Sequence, residues 1–343
     1  MMKLTLGALL GLVAPMAMAD EIRVLNWQGY GTDLDWAVAA FQEKTGNTVV
    51  HEYFTSEQEL LTKLRTNPGA YDVAMINSAF TAQAVAEGLI GPIDRAAIMH
   101  LSDLDPVFLD NPDLNAGGAL HGVPWTWGLT AFAVNSNDFP EPPASLAIFW
   151  DPEWKGRVSI RDDALEAVQF AALATGQDVN DIRDLDAVKG ELETLMPQIR
   201  AFWSSENDWN QFMAAGEIAV ATYWSGSAAR SLDKGLPITF VVPEEGAIGW
   251  VDGLSIPTAS THKAEAAAFI DWMIDPEFYL RWDKEGSPAP TSLKAAEALP
   301  ETSFNRMVLG DPEVVALVQF MRPVPDAKRE EYLALWQGLK AKQ

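Results

Sequence analysis

Between Glu21 and Gly88 the apolar residues switch repeatedly between β-type runs and helical spacing, and this alternation constrains the fold more than any other feature. Residues 21–27 read as a strand that ends in the turn Gln28-Gly29-Tyr30-Gly31-Thr32. Leu34, Val38 and Phe41 then recur at helical spacing until Thr45-Gly46 stops the helix. Residues 47–54 form a second strand, and Ser56 with Glu59 makes a capping box before Leu60, Leu61 and Leu64. Asn67-Pro68-Gly69 closes that helix, residues 72–76 form a third strand, and residues 81–87 a third helix closed by Gly88. Strands alternating with helices of this length predict a parallel sheet with right-handed crossovers. In such sheets ligands sit beyond the carboxyl ends of the strands, which puts Trp27, Gln28, Tyr30, Asn77 and Ser78 at a binding cleft. Trp27 could equally plug the sheet edge.

Ahead of that alternation, residues 1–19 have the pattern of an export signal. Lys3 supplies the basic end, residues 4–16 the apolar run, and Ala17-Met18-Ala19 the small-residue site before Asp20. Without Lys3 the chain holds 23 basic against 48 acidic residues, a net charge of −25. That balance disfavours nucleic acid or anionic membrane as partner and suits cations, although solubility alone is a sufficient reason for it. No cysteine is present, so disulfides and thiolate metal sites are excluded and an exported protein must rely on a large ordinary core. Roughly 320 mature residues exceed one comfortable core, so two lobes are expected. No later apolar run reaches the roughly 20 residues that span a bilayer.

Residues 92–120 are rich in Asp, Pro and Asn and read as surface loop with short turns. Residues 121–135 form one long strand-like piece dotted with glycines, a natural crossing between lobes. A strand at 157–161 leads to a helix over 162–174, where Asp163 and Glu166 have the spacing of a cap and its partner. Capping and ligand binding can coexist there, because a cap sits at an open helix end. Residues 216–224 form another strand, Ser225-Gly226-Ser227 turns it into a helix, and further helices are expected at 264–274, 313–320 and 328–340. Gly249-Trp250-Val251-Asp252-Gly253-Leu254-Ser255-Ile256-Pro257 reads as strand, so Trp250 and Asp252, two apart, share a face. An indole plane beside a carboxylate suits an organic cation; a buried Trp next to a solvated turn Asp is the plain structural alternative.

Motifs for other chemistries are missing. Gly29-x-Gly31 lacks the third glycine of a dinucleotide loop, Leu34 standing in its place, and no phosphate-cradling loop occurs. Neither Gly-x-Ser-x-Gly nor His-Glu-x-x-His is present. His51, His100, His121 and His262 show no close metal-ligand spacing, and the six tyrosines are scattered. No cofactor and no metal are expected. Acids with Trp platforms could serve a glycosidase, but no glycosidase motif accompanies them.

Seven stretches, in one order and with compatible gaps, carry a family resemblance. They are Leu25-Asn26-Trp27-Gln28-Gly29-Tyr30, Tyr71-Asp72-Val73, Val123-Pro124-Trp125-Thr126-Trp127-Gly128, Trp154-Lys155-Gly156-Arg157, Asp162-Asp163-Ala164-x-Glu166, Trp224-Ser225-Gly226-Ser227 and Gly249-Trp250-Val251-Asp252-Gly253-Leu254-x-Ile256-Pro257. Over nearly the whole mature length the chain resembles the spermidine/putrescine-binding proteins of bacterial ABC importers. The resemblance implies an α/β fold, a two-lobed periplasmic-binding-protein clamshell whose lobes are each a mainly parallel sheet flanked by helices. It implies a monomeric periplasmic receptor, not an enzyme, that hands a small cationic amine to an ABC permease in the inner membrane. Lobe one would comprise residues 20–131 and 251–296, lobe two residues 132–250 and 297–343. Carried over by position, Trp27, Trp224 and Trp250 would wall the site, with Asp252 and the pair Asp163 and Glu166 as amine anchors.

Departures from the family pattern bear on the ligand. An acid common two residues after the first Trp is Gly29 here, a late Tyr is Ser287, and a position near the end that holds Gln in some members aligns with Arg322. A ligand with one cationic end and a neutral or anionic other end, such as a zwitterionic amine, betaine or opine, is therefore the alternative. Arg161 could meet such an anion or simply pair with Asp163.

Overall fold

The computed structural model describes residues 20–342; the expected leader, residues 1–19, lies outside the described residues. The strand–helix alternation is present as β1 (Glu21–Asn26), β2 (Thr48–Tyr53) and β3 (Val73–Asn77), with helices Asp35–Thr45, Glu57–Thr66 and Ser78–Ala86. β1 pairs in parallel with β2 and β3, as strand–helix–strand units require. The third helix starts at Ser78 rather than Thr81 because Asn77 caps it, its Oδ1 accepting the Ala79 N–H at 3.0 Å. Ser56 caps the second helix through the Glu59 N–H at 3.2 Å, but the Glu59 carboxylate reaches back to the Thr55 N–H at 2.8 Å, so the expected box closes on Thr55 instead of Ser56.

β4 (Val123–Asn135) leaves this unit and is buried at all 13 of its positions, which fits its unbroken apolar run. The second unit contains β5 (Val158–Arg161), β6 (Ile199–Trp203) and β7 (Val220–Trp224), again parallel around β5. Helices Ala164–Ala174, Leu185–Leu195, Glu206–Ala214 and Ser225–Asp233 accompany it. β8 (Ile238–Val241) pairs with β4, and β9 (Ala247–Ser255) returns antiparallel to both β4 and β3. One sheet therefore runs through the molecule in the order β2-β1-β3-β9-β4-β7-β5-β6. Each lobe has three parallel strands, and the antiparallel pair β4/β9 joins them. β10 (Ala289–Pro290) pairs with β4 and β11 (Val318–Phe320) with β9.

Glycine is required at two places on the crossing pair. A Cβ at Gly128 would lie 2.5 Å from the Trp250 ring, and one at Gly249 would lie 2.5 Å from Val318. The second contact shapes the chain near its end. Residues 313–320, read as helix, are a short helix Pro312–Ala316 followed by β11, because Val318 and Phe320 settle on the bare backbone of Gly249.

Two large apolar clusters follow the two units. The first gathers Ile22, Val24, Phe41, Val73 and Ile76 with Phe269 and Ile270 from the helix Lys263–Met273; the second gathers Phe132, Phe149, Ile160, Val168 and Leu192 with Trp336 from the helix Asp326–Lys340. Each fully buried Leu, Ile or Phe contributes about 1.5–3 kcal/mol, and in a chain without cysteine these clusters hold the fold. Leu165 and Met321 pack against both clusters, so the facing lobe edges are in contact.

Candidate functional site

The carboxyl ends of the parallel strands bring the site together. β1 leads into Trp27 and Tyr30, β2 leads toward Glu57, and β3 ends on Asn77; from the other lobe β5 ends on Arg161 and β7 on Trp224. Asp252, on the antiparallel β9, lies opposite Asn77 on one side and Thr126 on the other.

Asp252 is the centre of the lobe-one wall. It is buried, its Oδ2 accepts the Tyr30 hydroxyl at 2.8 Å, and its Oδ1 accepts the Asn77 side-chain N–H at 3.1 Å. Burial pushes its carboxyl up to about 6, against the lowering effect of those two hydrogen bonds. Among the described residues no cation pairs with it. Tyr30 is fixed edge-on to Trp125 and Trp282, with ring centroids 5.7 and 6.2 Å away, and its own hydroxyl is raised well above its ordinary value by burial and by Asp252.

Glu57, the first residue of its helix, stands on the same wall. Its Oε1 accepts the Asn77 backbone N–H at 3.4 Å, while its Oε2 is closed off from solvent and has no hydrogen-bond partner. Burial first, then the Asp252 charge, push the Glu57 carboxyl up to about 8; Arg161, from the other lobe, acts in the opposite sense.

The lobe-two wall is electrostatically settled. Arg161 pairs with Glu166 at 3.1 Å and lies 4.7 Å from the centre of the Trp224 ring. The Trp224 indole N–H also donates to Glu166 Oε2 at 3.4 Å. Asp163 caps the helix Ala164–Ala174, accepting the Glu166 N–H at 3.0 Å. Asp163 also acts on Arg161 through its charge, but the ion pair is made with Glu166. Burial raises the Glu166 carboxyl in spite of Arg161, and its Oε1 is left without a partner.

The remaining expected residues are distributed as follows. Trp27 is half-buried with its ring 4.5 Å from Phe54, at the rim of the first cluster. Gln28 is exposed, and Ser78 is buried as the first residue of its helix. Trp250 lies over Gly128 with its indole N–H buried and without a partner. Ser287 has no exposed surface and its hydroxyl donates to the Tyr279 hydroxyl at 2.8 Å, so its short side chain belongs to the packing around Tyr279 and Asn305 rather than to the cleft. Arg322 is exposed, with its backbone N–H bonded to Asn180 at 2.9 Å and its charge near Asp113, outside the group around Asp252.

Glu57 is the residue that strand-end reasoning passed over. It follows β2, itself a parallel strand, but sits inside the Ser56-x-x-Glu59 capping pattern, which accounts for the local acids without reference to a ligand. A surface groove of about 380 Å³ lined by Asp33, Asp35, His51 and Tyr53 includes none of the residues gathered around Asp252. Among the described residues no group of three or more His, Cys, Asp or Glu could hold a metal, and no helix is long and apolar enough to cross a membrane.

A family model described as bacterial extracellular solute-binding protein matches residues 36–306. The chain is 33% identical, over 98% of its length and 97% of the relative's, to the spermidine/putrescine-binding periplasmic protein of Escherichia coli strain K12. It is 26% identical, over 77% of its length and 76% of the relative's, to the putrescine/agmatine-binding protein of Pseudomonas aeruginosa. A solved spermidine/putrescine ABC transporter substrate-binding protein from Streptococcus pneumoniae shares the fold with a TM-score of 0.81 at 24% identity, covering 94% of this chain and 99% of that one.

Proposed function

The chain belongs to the bacterial extracellular solute-binding protein family, and from that premise we propose that it captures a polyamine such as spermidine or putrescine between its lobes and delivers it to an ABC permease. It works in the periplasm as a monomer and turns over no substrate. Residues 20–131 with 251–296 form one lobe, residues 132–250 with 297–343 the other, and the crossing pair β4/β9 is the hinge about which the ligand shifts open and closed populations.

The observation that carries this reading is that, among the described residues, no cation pairs with the acids of the lobe-one wall. Among the described residues, Asp252 is a buried carboxylate that receives hydrogen bonds only from neutral donors, and Glu57 on the same wall has an oxygen with no donor. A buried anion requires a cation or a proton, and an ammonium group supplies charge and N–H donors together. The Trp250 and Trp224 faces provide apolar surface for a polymethylene chain, and an ammonium over an indole gains about 0.5–2 kcal/mol. A micromolar ligand needs about −8 kcal/mol in all, within reach of two charge-assisted contacts and two aromatic faces.

The zwitterion alternative would draw on Arg161 for a ligand carboxylate. Its pairing with Glu166 and its position over Trp224 leave it already engaged, which favours the polycation. Mass spectrometry of small molecules released from natively purified protein, followed by calorimetric titration with putrescine, spermidine and a zwitterionic ω-amino acid, tests the proposal. Tight binding of at least one polyamine without response to the amino acid is expected; the reverse pattern defeats the reading.

A further inference from the structure

Two carboxylates of the lobe-one wall are held by one neutral residue. Asn77 gives its backbone N–H to Glu57 Oε1 at 3.4 Å and its side-chain N–H to Asp252 Oδ1 at 3.1 Å. The two acids thus meet on one residue and the Asp252 charge acts on Glu57; neither has an ion-pair partner among the described residues, and Glu57 Oε2 is shut away from solvent with none of those residues donating to it. In lobe two the buried Glu166 already has Arg161. We propose that Glu57 and Asp252 form a paired carboxylate seat for a single primary ammonium group, and that filling the seat expels a proton from it to the solvent. This rests on the amine reading given above.

Two like charges that act on each other across one poorly solvated wall disfavour each other's ionised form, and a cation seated between them removes that penalty. The groups facing Glu57 are Asp252 from β9, Asp163 and Arg161 from the other lobe, and the Asn77 backbone N–H. Arg161 is the one cation of this set, and Glu166 claims it. Burial and the Asp252 charge favour the protonated form of Glu57, its carboxyl being raised to about 8, and the unpartnered Oε2 is the atom that would hold the proton. An arriving R–NH3⁺ donates N–H bonds to both acids, the carboxyl O–H bond breaks, and the proton passes to buffer. A quaternary ammonium has no N–H to give and leaves Glu57 Oε2 without a donor.

Calorimetry with putrescine at pH 6.0, 7.0 and 8.5, in buffers of different ionisation enthalpy, tests this on wild type, Glu57→Gln and Glu57→Asp. Wild type is expected to bind at least about tenfold more tightly at pH 8.5 than at pH 6.0 and to release close to one proton at pH 7.0. Glu57→Gln is expected to bind at least about tenfold more weakly at pH 8.5, with a flattened pH profile and proton release at pH 7.0 at least halved; Glu57→Asp, which keeps the charge, retains the release. A bis-trimethylammonium diamine of putrescine's length is expected to bind at least about tenfold more weakly than putrescine. Wild-type affinity and wild-type proton release in Glu57→Gln would overturn the seat while leaving the amine reading intact, as would equal binding of the quaternary diamine. If Glu57→Gln does not fold, as judged by circular dichroism, absence of proton release from wild type at pH 7.0 overturns the seat. No binding of putrescine or spermidine by wild type at any pH defeats the amine reading itself.

Discussion

The two walls of the cleft solve the same problem, a buried carboxylate, in opposite ways. In lobe two Glu166 is answered within the protein by Arg161, and the pair is roofed by Trp224. In lobe one Asp252 and Glu57 are answered only by the neutral donors Tyr30 and Asn77. A self-neutralised pair contributes to the folded state and offers little to a ligand, whereas an uncompensated pair costs stability that a bound cation restores. Acidic residues in a cleft are therefore not equivalent anchors: those without a cation of their own are the ones free to hold a cationic ligand.

Substitutions on the two walls should therefore fail differently. The largest effect belongs to Glu166→Gln, which leaves the Arg161 guanidinium buried without its carboxylate; a loss of about 3 kcal/mol in denaturant unfolding is expected, and unchanged stability would break the contrast. Asp252→Ala should weaken polyamine binding about a hundredfold in calorimetry, as expected for truncating a buried charge contact, while the ligand-free protein unfolds no earlier than wild type. Trp250→Ala removes one aromatic face and should weaken binding about tenfold; near-normal affinity would mean that the indole only packs on Gly128. Smallest is Arg329→Ala. The Arg329 guanidinium donates to Gln83 of the other lobe at 2.9 Å and lies 5.8 Å from the Phe80 ring, so its loss should raise the dissociation rate less than about threefold, as is usual for a contact at the rim.

Much of this arrangement was legible from residue order, for identifiable reasons. Strand–helix alternation located the ends of β1 and β3, and with them Tyr30 and Asn77, because a parallel sheet leaves its carboxyl ends open. The period of two in β9 put Trp250 and Asp252 on one face. Glu57 was hidden because its helix start already had a sufficient local explanation in Ser56 and Glu59. Pairing is hidden wherever it depends on how the chain brings partners together: β11 forms because Gly249 offers bare backbone, and Arg161 makes its ion pair with Glu166, five residues on, while Asp163, between them in sequence, caps the helix. Ser287 and Arg322 were placed by alignment through loops, with no strand end to fix them, and the structure gives Ser287 to the Tyr279 network and Arg322 to the exposed surface.

The lobe-one wall holds carboxylates for which the described residues supply no cation. Thermal unfolding of ligand-free wild type and Asp252→Asn at pH 4.5 and pH 8 measures this directly. The Asp252 carboxyl is raised from 3.8 to about 6 in the folded state, so the native protein holds a proton that the unfolded chain gives up, and stability falls as pH rises through that window. Asp252→Asn should melt above wild type at pH 8, with the difference shrinking at pH 4.5 and disappearing at pH 8 once wild type is saturated with putrescine. A variant that melts below wild type at pH 8, or that differs from it equally at both pH values, would contradict the account.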